Sequence, residues 1–586
     1  MKKIIVVFSL LLFFAGSFNL LAAKKFVNRK FNTPKLEWWQ DARFGMFIHW
    51  GPVTLTGKEI GWSRSSTGIA KYDTLYLRFN PKNFDANEWV HIAQNAGMKY
   101  MVFTAKHMDG FCNWDTKTTD YNIMNSPFKR DVCKELADAA HAAGMPICWY
   151  FITPDWKDAD CRNPNTPGVF EERILAQLTE LLSNYGKISL LWTDYDGFAP
   201  PTRASKVYQL ANKLQPGIIV NNRLDVFHSD ESHAFIGDNG DYATPENFVA
   251  GYGAIPWETC TNLGHQWAWK FNDTPRDMRE STATLLRCVG GNGNLLLNIG
   301  PDSLGNFPIN FVERLNEIGT WIKPRSASIY NVKGGPYTPA SDYVSSYNAN
   351  NFFLHVFSFK SDTLNIPAIP AKIHKATLVN GKAVNFIQRK NDLKIIVPKA
   401  DRENIVTTIT FETNKPMAKM ALIIPFSATG SLAYGKKVTA SSSLGQFLHD
   451  PNSAIDDNMN TYWKLGRRVG ADFEKYIGTR MHYINSPKEL NELFDKQGWL
   501  EVDLGKAQTV SKIKVSESVF VKSKIKSFEV QYKKGNEWIT IAKDEKMGDW
   551  EKVFSPVKAR YFRLVINNRD GFAGIKEFQL FAANIK

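Results

Sequence analysis

The chain has 586 residues, more than one hydrophobic core usually supports, so we expect it to fold as more than one domain. Its 44% apolar and 22% charged residues are ordinary for globular protein and exclude a largely disordered chain. The net charge of +14 fits a generally basic surface better than a dedicated site for an acidic partner. No compact arginine-rich stretch is present, and nucleic acid is not expected as a partner.

Residues 1–23 have the pattern of a signal peptide. Two lysines follow Met1, an apolar run covers residues 4–14, and a small Ala-Ala pair marks a cleavage site. Gly16 and nearby polar residues end the run before it reaches the ~18 residues that a membrane-spanning helix needs. We therefore expect an exported protein, periplasmic or secreted, whose mature chain starts near Lys24 and carries no transmembrane segment.

The six cysteines show no disulfide framework, although export would permit disulfides. Cys148 lies in an apolar, strand-like stretch, and no cysteine follows Cys288. We expect mostly free thiols in the core. No Cys-x-x-Cys pair or His-Glu-x-x-His helix indicates a catalytic zinc ion.

Strand-like and helix-like segments alternate from about residue 40 to residue 325. The strands, such as 99–104, 146–151 and 294–299, are apolar almost throughout, and helical segments such as 131–143 separate them. This pattern predicts a parallel sheet covered on both faces. No glycine-rich dinucleotide-binding fingerprint is present, so a closed (β/α)8-like barrel over residues 24–328 fits better than an open sheet.

The pattern changes after Pro324 to short alternating strands. Residues 329–428 are predicted to form a small β-sandwich. Residues 429–586 form a third unit, whose short strands again alternate apolar and polar residues and predict a second β-sandwich.

A carboxylate follows the predicted strand at residues 188–191. Asp194 lies at the C-terminal end of this strand, close to Trp192. In a β/α barrel the substrate meets this edge of the sheet. A carboxylate beside an indole suits attack on a sugar ring.

Histidines and tryptophans follow two further predicted strands. His49 ends the first strand, and His107 follows the strand at 99–104, with Trp114 a few residues beyond it. Imidazoles can hydrogen-bond sugar hydroxyls, and indoles offer a flat face to sugar C–H groups. These residue types indicate a carbohydrate site.

Glycoside hydrolysis requires a second carboxyl group that can hold a proton. Glu246 and Glu258 are the two candidates, and Arg223 brings a cation to the same rim from the end of another strand. Spacing along the chain does not show which carboxyl group faces Asp194, so both stay open.

Six motifs occur in order and together resemble the α-L-fucosidases of glycoside hydrolase family 29. They lie at residues 47–51, 106–111, 129–131, 192–194, 257–259 and 293–301. The resemblance implies a retaining exo-glycosidase that hydrolyses terminal α-L-fucosides on glycans by a double displacement. It also implies that no metal ion takes part at the reacting centre.

The same resemblance implies roles for individual residues. Asp194 corresponds to the family's nucleophile, with Asp196 as the alternative because the residues after Asp194 depart from the family's Trp-Phe-Asp-Gly pattern. Glu246 corresponds to the family's acid/base, with Glu258 as the second choice. The residues expected to contact or enclose the sugar are His49, His107, Trp114, Trp192, Arg223, Glu258 and Trp267.

The chain departs from the family pattern at Met108, where the family usually has a second histidine. A thioether accepts hydrogen bonds only weakly, so one sugar hydroxyl loses a partner here. A site that hydrogen-bonds a hydroxyl discriminates strongly against sugars that lack it, so this loss changes which sugar the site selects. An α-L-galactoside, which carries one more hydroxyl on C6 than an α-L-fucoside, is therefore an alternative substrate. A catalytically impaired glycan-binding protein of the same fold is the alternative function.

The C-terminal unit resembles a discoidin, or coagulation-factor type C, module and is similar to family 32 carbohydrate-binding modules. The segments that carry this resemblance are 454–463, 499–505 and 560–566. The turn at residues 456–458 supplies oxygen ligands suited to a structural calcium ion, and it equally fits an ordinary polar turn.

Overall fold

The computed structural model describes residues 33–162, 165–194, 201–224, 236, 238–253, 255–443, 449–459, 461–466, 495, 497–518, 524–570 and 573–582. The predicted signal peptide and the alternative nucleophile Asp196 lie outside these ranges. Within them, no helix is both long and apolar enough to span a membrane.

Seven parallel strands form the sheet of the first domain, in the order β5-β4-β3-β2-β1-β7-β6. Every residue of these strands is buried, and all but β6, whose sequence is mostly polar, read largely as apolar runs, as expected for a parallel sheet covered on both faces. The strands are β1 (Phe44–Ile48), β2 (Met101–Lys106), β3 (Ile147–Phe151), β4 (Leu190–Trp192), β5 (Ile219–Val220), β6 (Glu258–Asn262) and β7 (Asn294–Ile299).

Residues 242–246 fill the eighth position, between β5 and β6. Single parallel bridges join Asn221 to Tyr242 on one side and Glu246 to Cys260 on the other. Because both edges of the seven-stranded sheet pair with this segment, the sheet closes into the predicted (β/α)8-like barrel. The closing segment carries one of the two candidate acid/base residues.

Helices cover the outside of the barrel. Asp85, Asp131 and Asp277 cap three of them, because each side chain accepts backbone N–H groups of the first turn. The helices are α1 (Pro34–Ala42), α2 (Arg64–Thr67), α3 (Ile69–Asp73), α4 (Ala86–Asn95), α5 (Val132–Ala142), α6 (Pro167–Ser183), α7 (Pro201–Leu214), α8 (Met278–Gly290) and α9 (Ile309–Ile322). All six cysteines are free, as predicted, and five of them are buried.

A five-stranded and a three-stranded antiparallel sheet follow the barrel. Helix α8 joins the barrel to them, since Arg287 Nη2 donates to the Ser341 carbonyl at 2.9 Å. The strands are β8 (Lys333–Gly334), β9 (Tyr343–Asn348), β10 (Asn351–Val356), β11 (Thr363–Pro367), β12 (Ile373–Leu378), β13 (Asn385–Gln388), β14 (Asp392–Ile396) and β15 (Thr407–Thr413).

The C-terminal unit is built from antiparallel strands around a separate apolar core. Strands β18 and β21 are long, and shifts of register along their pairing mark bulges. The strands are β16 (Lys437–Ala440), β17 (Trp463–Lys464), β18 (Gly498–Glu517), β19 (Ile525–Lys534), β20 (Glu537–Asp544), β21 (Asp549–Arg569) and β22 (Gly574–Ala582).

Candidate active site

Asp194 and Glu246 bind the same arginine. Arg223 Nη1 lies 2.9 Å from Asp194 Oδ1, and Arg223 Nη2 lies 2.9 Å from Glu246 Oε2. Asp194 follows β4, Arg223 follows β5, and Glu246 ends the closing segment, so all three come from adjacent positions on the C-terminal rim of the barrel. One rigid guanidinium therefore keeps the two carboxylates close together.

Arg223 is locked in place beneath the carboxylates. Its Nε donates to Thr244 Oγ1 at 2.9 Å, and its guanidinium lies 4.5 Å from the ring centre of Trp192. Burial alone would lower the pKa of Arg223, but the two carboxylates raise it, so the group stays charged. The Arg223 side chain is 4% exposed, whereas Asp194 and Glu246 keep 21% and 25% of their side chains exposed.

Tyr150, on β3, orients the second oxygen of Asp194. Its hydroxyl donates to Asp194 Oδ2 at 3.0 Å. The Tyr150 ring lies parallel to those of Trp192 and His107, with centroids 5.4 and 5.5 Å away. Sequence analysis did not single out Tyr150, because it sits inside an apolar run like any core residue.

His49 is held by an asparagine at the end of β7. Asn298 Oδ1 lies 2.8 Å from His49 Nδ1, while Asn298 Nδ2 donates to the Trp267 carbonyl at 2.8 Å. Because that carbonyl can only accept, the amide oxygen must face His49, and His49 Nδ1 must carry the proton. Burial lowers the pKa of His49 to about 4, so the ring is neutral and Nε2 is left as an acceptor.

His107 is a second neutral imidazole. Burial lowers its pKa to about 3, with a smaller contribution from His49. The centroids of these two rings are 5.9 Å apart, and within the described part of the chain His107 Nδ1 has no hydrogen-bond partner. Two uncharged imidazoles suit a polar but uncharged ligand such as a sugar.

Trp267 closes the same pocket from another loop. Its ring centroid lies 5.0 Å from that of His49 and 6.0 Å from that of Phe47. Glu59 fixes this loop by accepting the backbone N–H groups of Trp267 and Ala268 at 2.8 and 3.0 Å. No motif distinguished Glu59 in the sequence.

Glu258 lies inside the barrel and not on the pocket surface. Its carboxylate is completely buried and accepts hydrogen bonds from the indole of Trp192 and the hydroxyl of Tyr242, both at 3.3 Å. Trp39, at 3.1 Å, and Tyr100 donate to its other oxygen. Burial raises its pKa to about 7. With both oxygens occupied, Glu258 supports Trp192 from behind and cannot reach a bound sugar.

Trp114, which was also expected to contact the sugar, lies away from the pocket. It is fully buried, and its indole N–H donates to Glu180 Oε2 on helix α6 at 2.9 Å. It therefore packs between the sheet and its helical layer.

Met108 is buried beside Tyr150 and Trp192 in an aromatic cluster, so its thioether adds apolar packing where a histidine would add a hydrogen-bonding group.

A (β/α)8 barrel whose rim carries two close carboxylates among neutral imidazoles and indoles defines a glycoside hydrolase. The family model for α-L-fucosidases matches residues 23–326, and the chain belongs to that family. The model for the F5/8 type C domain matches residues 437–578, in agreement with the predicted C-terminal module.

Individual relatives agree with this assignment. An α-L-fucosidase of Dictyostelium discoideum is 27% identical over 440 residues, which cover 66% of this chain and 92% of that protein. The human plasma α-L-fucosidase is 28% identical over 328 residues, covering 50% of this chain and 68% of its own length. Among solved structures, α-L-fucosidase isoenzyme 1 from Paenibacillus thiaminolyticus has 28% identity and a TM-score of 0.60, covering 66% of this chain and 100% of that one.

Proposed function

We propose that the protein is an exported exo-glycosidase that removes terminal α-L-fucosyl groups from glycans with retention of configuration. The bridge that Arg223 makes between Asp194 and Glu246 carries this proposal. Retaining glycosidases place their carboxyl groups ~5–5.5 Å apart, whereas inverting enzymes need ~6.5–9.5 Å to admit a water molecule. One guanidinium that binds both carboxylates favours the shorter separation.

The two carboxylates divide the chemistry. Asp194 attacks the anomeric carbon while Glu246 gives its proton to the departing glycosidic oxygen, so a glycosyl-enzyme ester forms as the glycosidic bond breaks. Glu246 then takes a proton from water, which attacks the anomeric carbon and frees Asp194. The hydroxyl of Tyr150 keeps Asp194 oriented for the attack.

The pocket supports recognition of a neutral sugar. His49 Nε2 would accept a hydrogen bond from a sugar hydroxyl, and the rings of Trp267 and Phe47 would pack against C–H groups. Met108, in place of the usual histidine, leaves one polar contact unmade, which favours an α-L-galactoside as the second candidate substrate.

The test is hydrolysis of a panel of aryl glycosides that includes the α-L-fucoside and the α-L-galactoside. The product anomer is followed by NMR during the first turnovers, with the Asp194→Ala variant as the control. We expect the α-anomer of fucose to appear first and the variant to lose several orders of magnitude in kcat. First release of the β-anomer would refute retention. Binding without turnover of any substrate would favour the glycan-binding alternative.

Export is proposed from the N-terminal pattern. Mass spectrometry of the protein recovered from its own host should find a mature chain that begins near Lys24. A chain that retains Met1 in the cytoplasmic fraction would refute the proposal.

We also propose that the C-terminal module holds a structural calcium ion between Asp456 and Glu577. The two buried side chains hydrogen-bond each other, and burial raises the pKa of both carboxyl groups, so a proton or a cation must offset their charges. No three His, Cys, Asp or Glu side chains form a metal-holding group among the described residues. Calcium would therefore need further oxygens from Asn458 or the main chain, which suits a cation that prefers oxygen ligands.

A further inference from the structure

An exposed tryptophan lies next to the pocket wall. Trp62 has 53% of its surface exposed, and its ring meets that of Trp156 edge-on, with centroids 5.5 Å apart. Trp156 follows β3, donates its backbone N–H to the Met108 carbonyl at 2.7 Å, and packs against the cluster that contains Trp192. An aromatic surface therefore runs from the cluster beneath the pocket out to solvent.

The loop that carries Trp62 is seated directly on the pocket. Gly61 has a φ of +65°, and a Cβ there would lie 2.7 Å from both His107 Nδ1 and Met108 Cγ. The Gly61 N–H donates to the Tyr72 hydroxyl at 2.9 Å, and that hydroxyl donates to Asp109 Oδ2 at 2.6 Å. Only glycine permits this close approach, and the hydrogen bonds fix the backbone from which Trp62 projects.

The same loop is fixed on its other side. Glu59, two residues before Gly61, holds the backbone of Trp267 across the pocket. The loop thus connects the two walls that are formed by His107 and Trp267, and Trp62 projects from it. Because the backbone is already held, a ligand that packs on this indole has only its side-chain torsions to order, which lowers the entropic cost of binding.

We propose that Trp62 and Trp156 form the binding site for the pyranose ring attached to the scissile glycosidic oxygen. This inference rests on the proposed function. An exo-glycosidase encloses the terminal sugar, so the next ring must lie at the mouth of the pocket. The exposed indole of Trp62 offers a flat apolar face to the C–H groups of that ring. The site therefore selects oligosaccharides over fucosides that have small leaving groups.

The test compares two substrates on the full-length protein. One is α-L-fucosyl fluoride, whose single-atom leaving group cannot reach Trp62. The other is the fucosyl disaccharide that the wild type cleaves fastest among the α1,2-, α1,3-, α1,4- and α1,6-linked isomers. Trp62→Ala should lower kcat/KM for the disaccharide ~10-fold, the scale of one aromatic contact, and change that for the fluoride less than twofold.

Three controls keep the outcomes distinct. Trp62→Phe should recover part of the disaccharide activity, and Leu77→Ala, which removes another exposed apolar side chain of the barrel, should leave both substrates unaffected. Inhibition by L-fucose should be unchanged in Trp62→Ala, which also shows that the variant is folded. Equal loss on both substrates, or no loss on either, would overturn the inference. A wild type that cleaves no fucoside would instead refute the proposed function.

Discussion

Asn298 accepts a hydrogen bond from His49 Nδ1 at 2.8 Å, and this contact decides which ring nitrogen faces the pocket. The two residues lie at the ends of β7 and β1, which pair in parallel with Asn298 opposite Phe47. The proton is kept on Nδ1, and Nε2 is left to accept from a sugar hydroxyl. Asn298 is thus a positioning residue for His49, and in the proposed function it would act on the substrate through that ring.

The Asn298→Asp substitution should make the enzyme sensitive to mildly acidic pH. A carboxylate beside Nδ1 stabilises the imidazolium and raises the pKa of His49 above its present value of about 4. Below the raised pKa, Nε2 carries a proton and cannot accept, so kcat/KM should fall ~10-fold at pH 5 and recover toward pH 8. Asn298→Ala is the control and should lose activity equally at both pH values. A wild-type pH profile in Asn298→Asp would contradict the assigned tautomer.

The variants Glu246→Ala and Glu258→Gln should show which of the two glutamates is the acid/base and which is a buried structural residue. Glu246→Ala should slow hydrolysis of a fucosyl disaccharide by ~10²–10⁴ but affect fucosyl fluoride far less, because fluoride leaves without a proton. With fucosyl fluoride as substrate, added azide should restore turnover, because it attacks the glycosyl-enzyme without a general base, and should yield the azide of retained configuration.

The Glu258→Gln variant should behave differently, because this residue accepts four buried hydrogen bonds. We expect a free energy of unfolding lower by about 1.5–3 kcal/mol and no effect of azide. Thermal unfolding measures the change in stability, and product analysis with and without azide measures the rescue. Azide rescue of Glu258→Gln but not of Glu246→Ala would exchange the two roles.

Arg223→Lys should keep the positive charge and lose the geometry. An ammonium group cannot hold two carboxylates in one plane as the guanidinium does, so kcat should fall ~10²-fold, the scale of a misplaced catalytic group. Arg203→Lys, a buried arginine over Phe170 on the outside of the barrel, is the matched control and should retain kcat. Equal kcat values in the two variants would show that the bridge is not needed for turnover.

Stability of the C-terminal module should depend on pH and calcium through Asp456 and Glu577. Burial raises the pKa of both carboxyl groups, so the folded state binds protons more tightly than the unfolded chain. Without calcium, Tm should therefore fall as pH rises above about 4, where unfolded carboxyl groups ionise.

Calcium should reverse this loss of stability by neutralising the pair. At pH 8 it should raise Tm in the wild type and have no effect in Asp456→Asn, as measured by calorimetry with and without a chelator. Asp503→Asn, which changes a partly buried carboxylate paired with Arg560 in the same module, is the matched control and should keep the response. A wild type whose Tm ignores calcium at pH 8 would refute the proposed site.

Much of the site could be predicted from the sequence because its residues follow buried strands. Asp194 and His49 stand directly after apolar runs, and a parallel barrel gathers all such strand ends on one rim. Tyr150 and Asn298 were missed because they lie within strands, where their polar atoms are indistinguishable along the chain from core residues. Trp114 and Glu258 were misassigned because a residue near a strand end can turn toward the helical layer or the barrel interior.

By itself, the order of residues predicted the alternation of strands and helices, a barrel followed by β-sheet units, and the types of side chain on the barrel rim, because these follow from local periodicity and short motifs. Only the tertiary structure decided that Glu246, and not Glu258, shares Arg223 with Asp194. It also decided that Asn298 fixes the proton on His49. Such choices depend on burial and on atoms brought within about 3 Å from distant parts of the chain, and spacing in sequence carries no record of either.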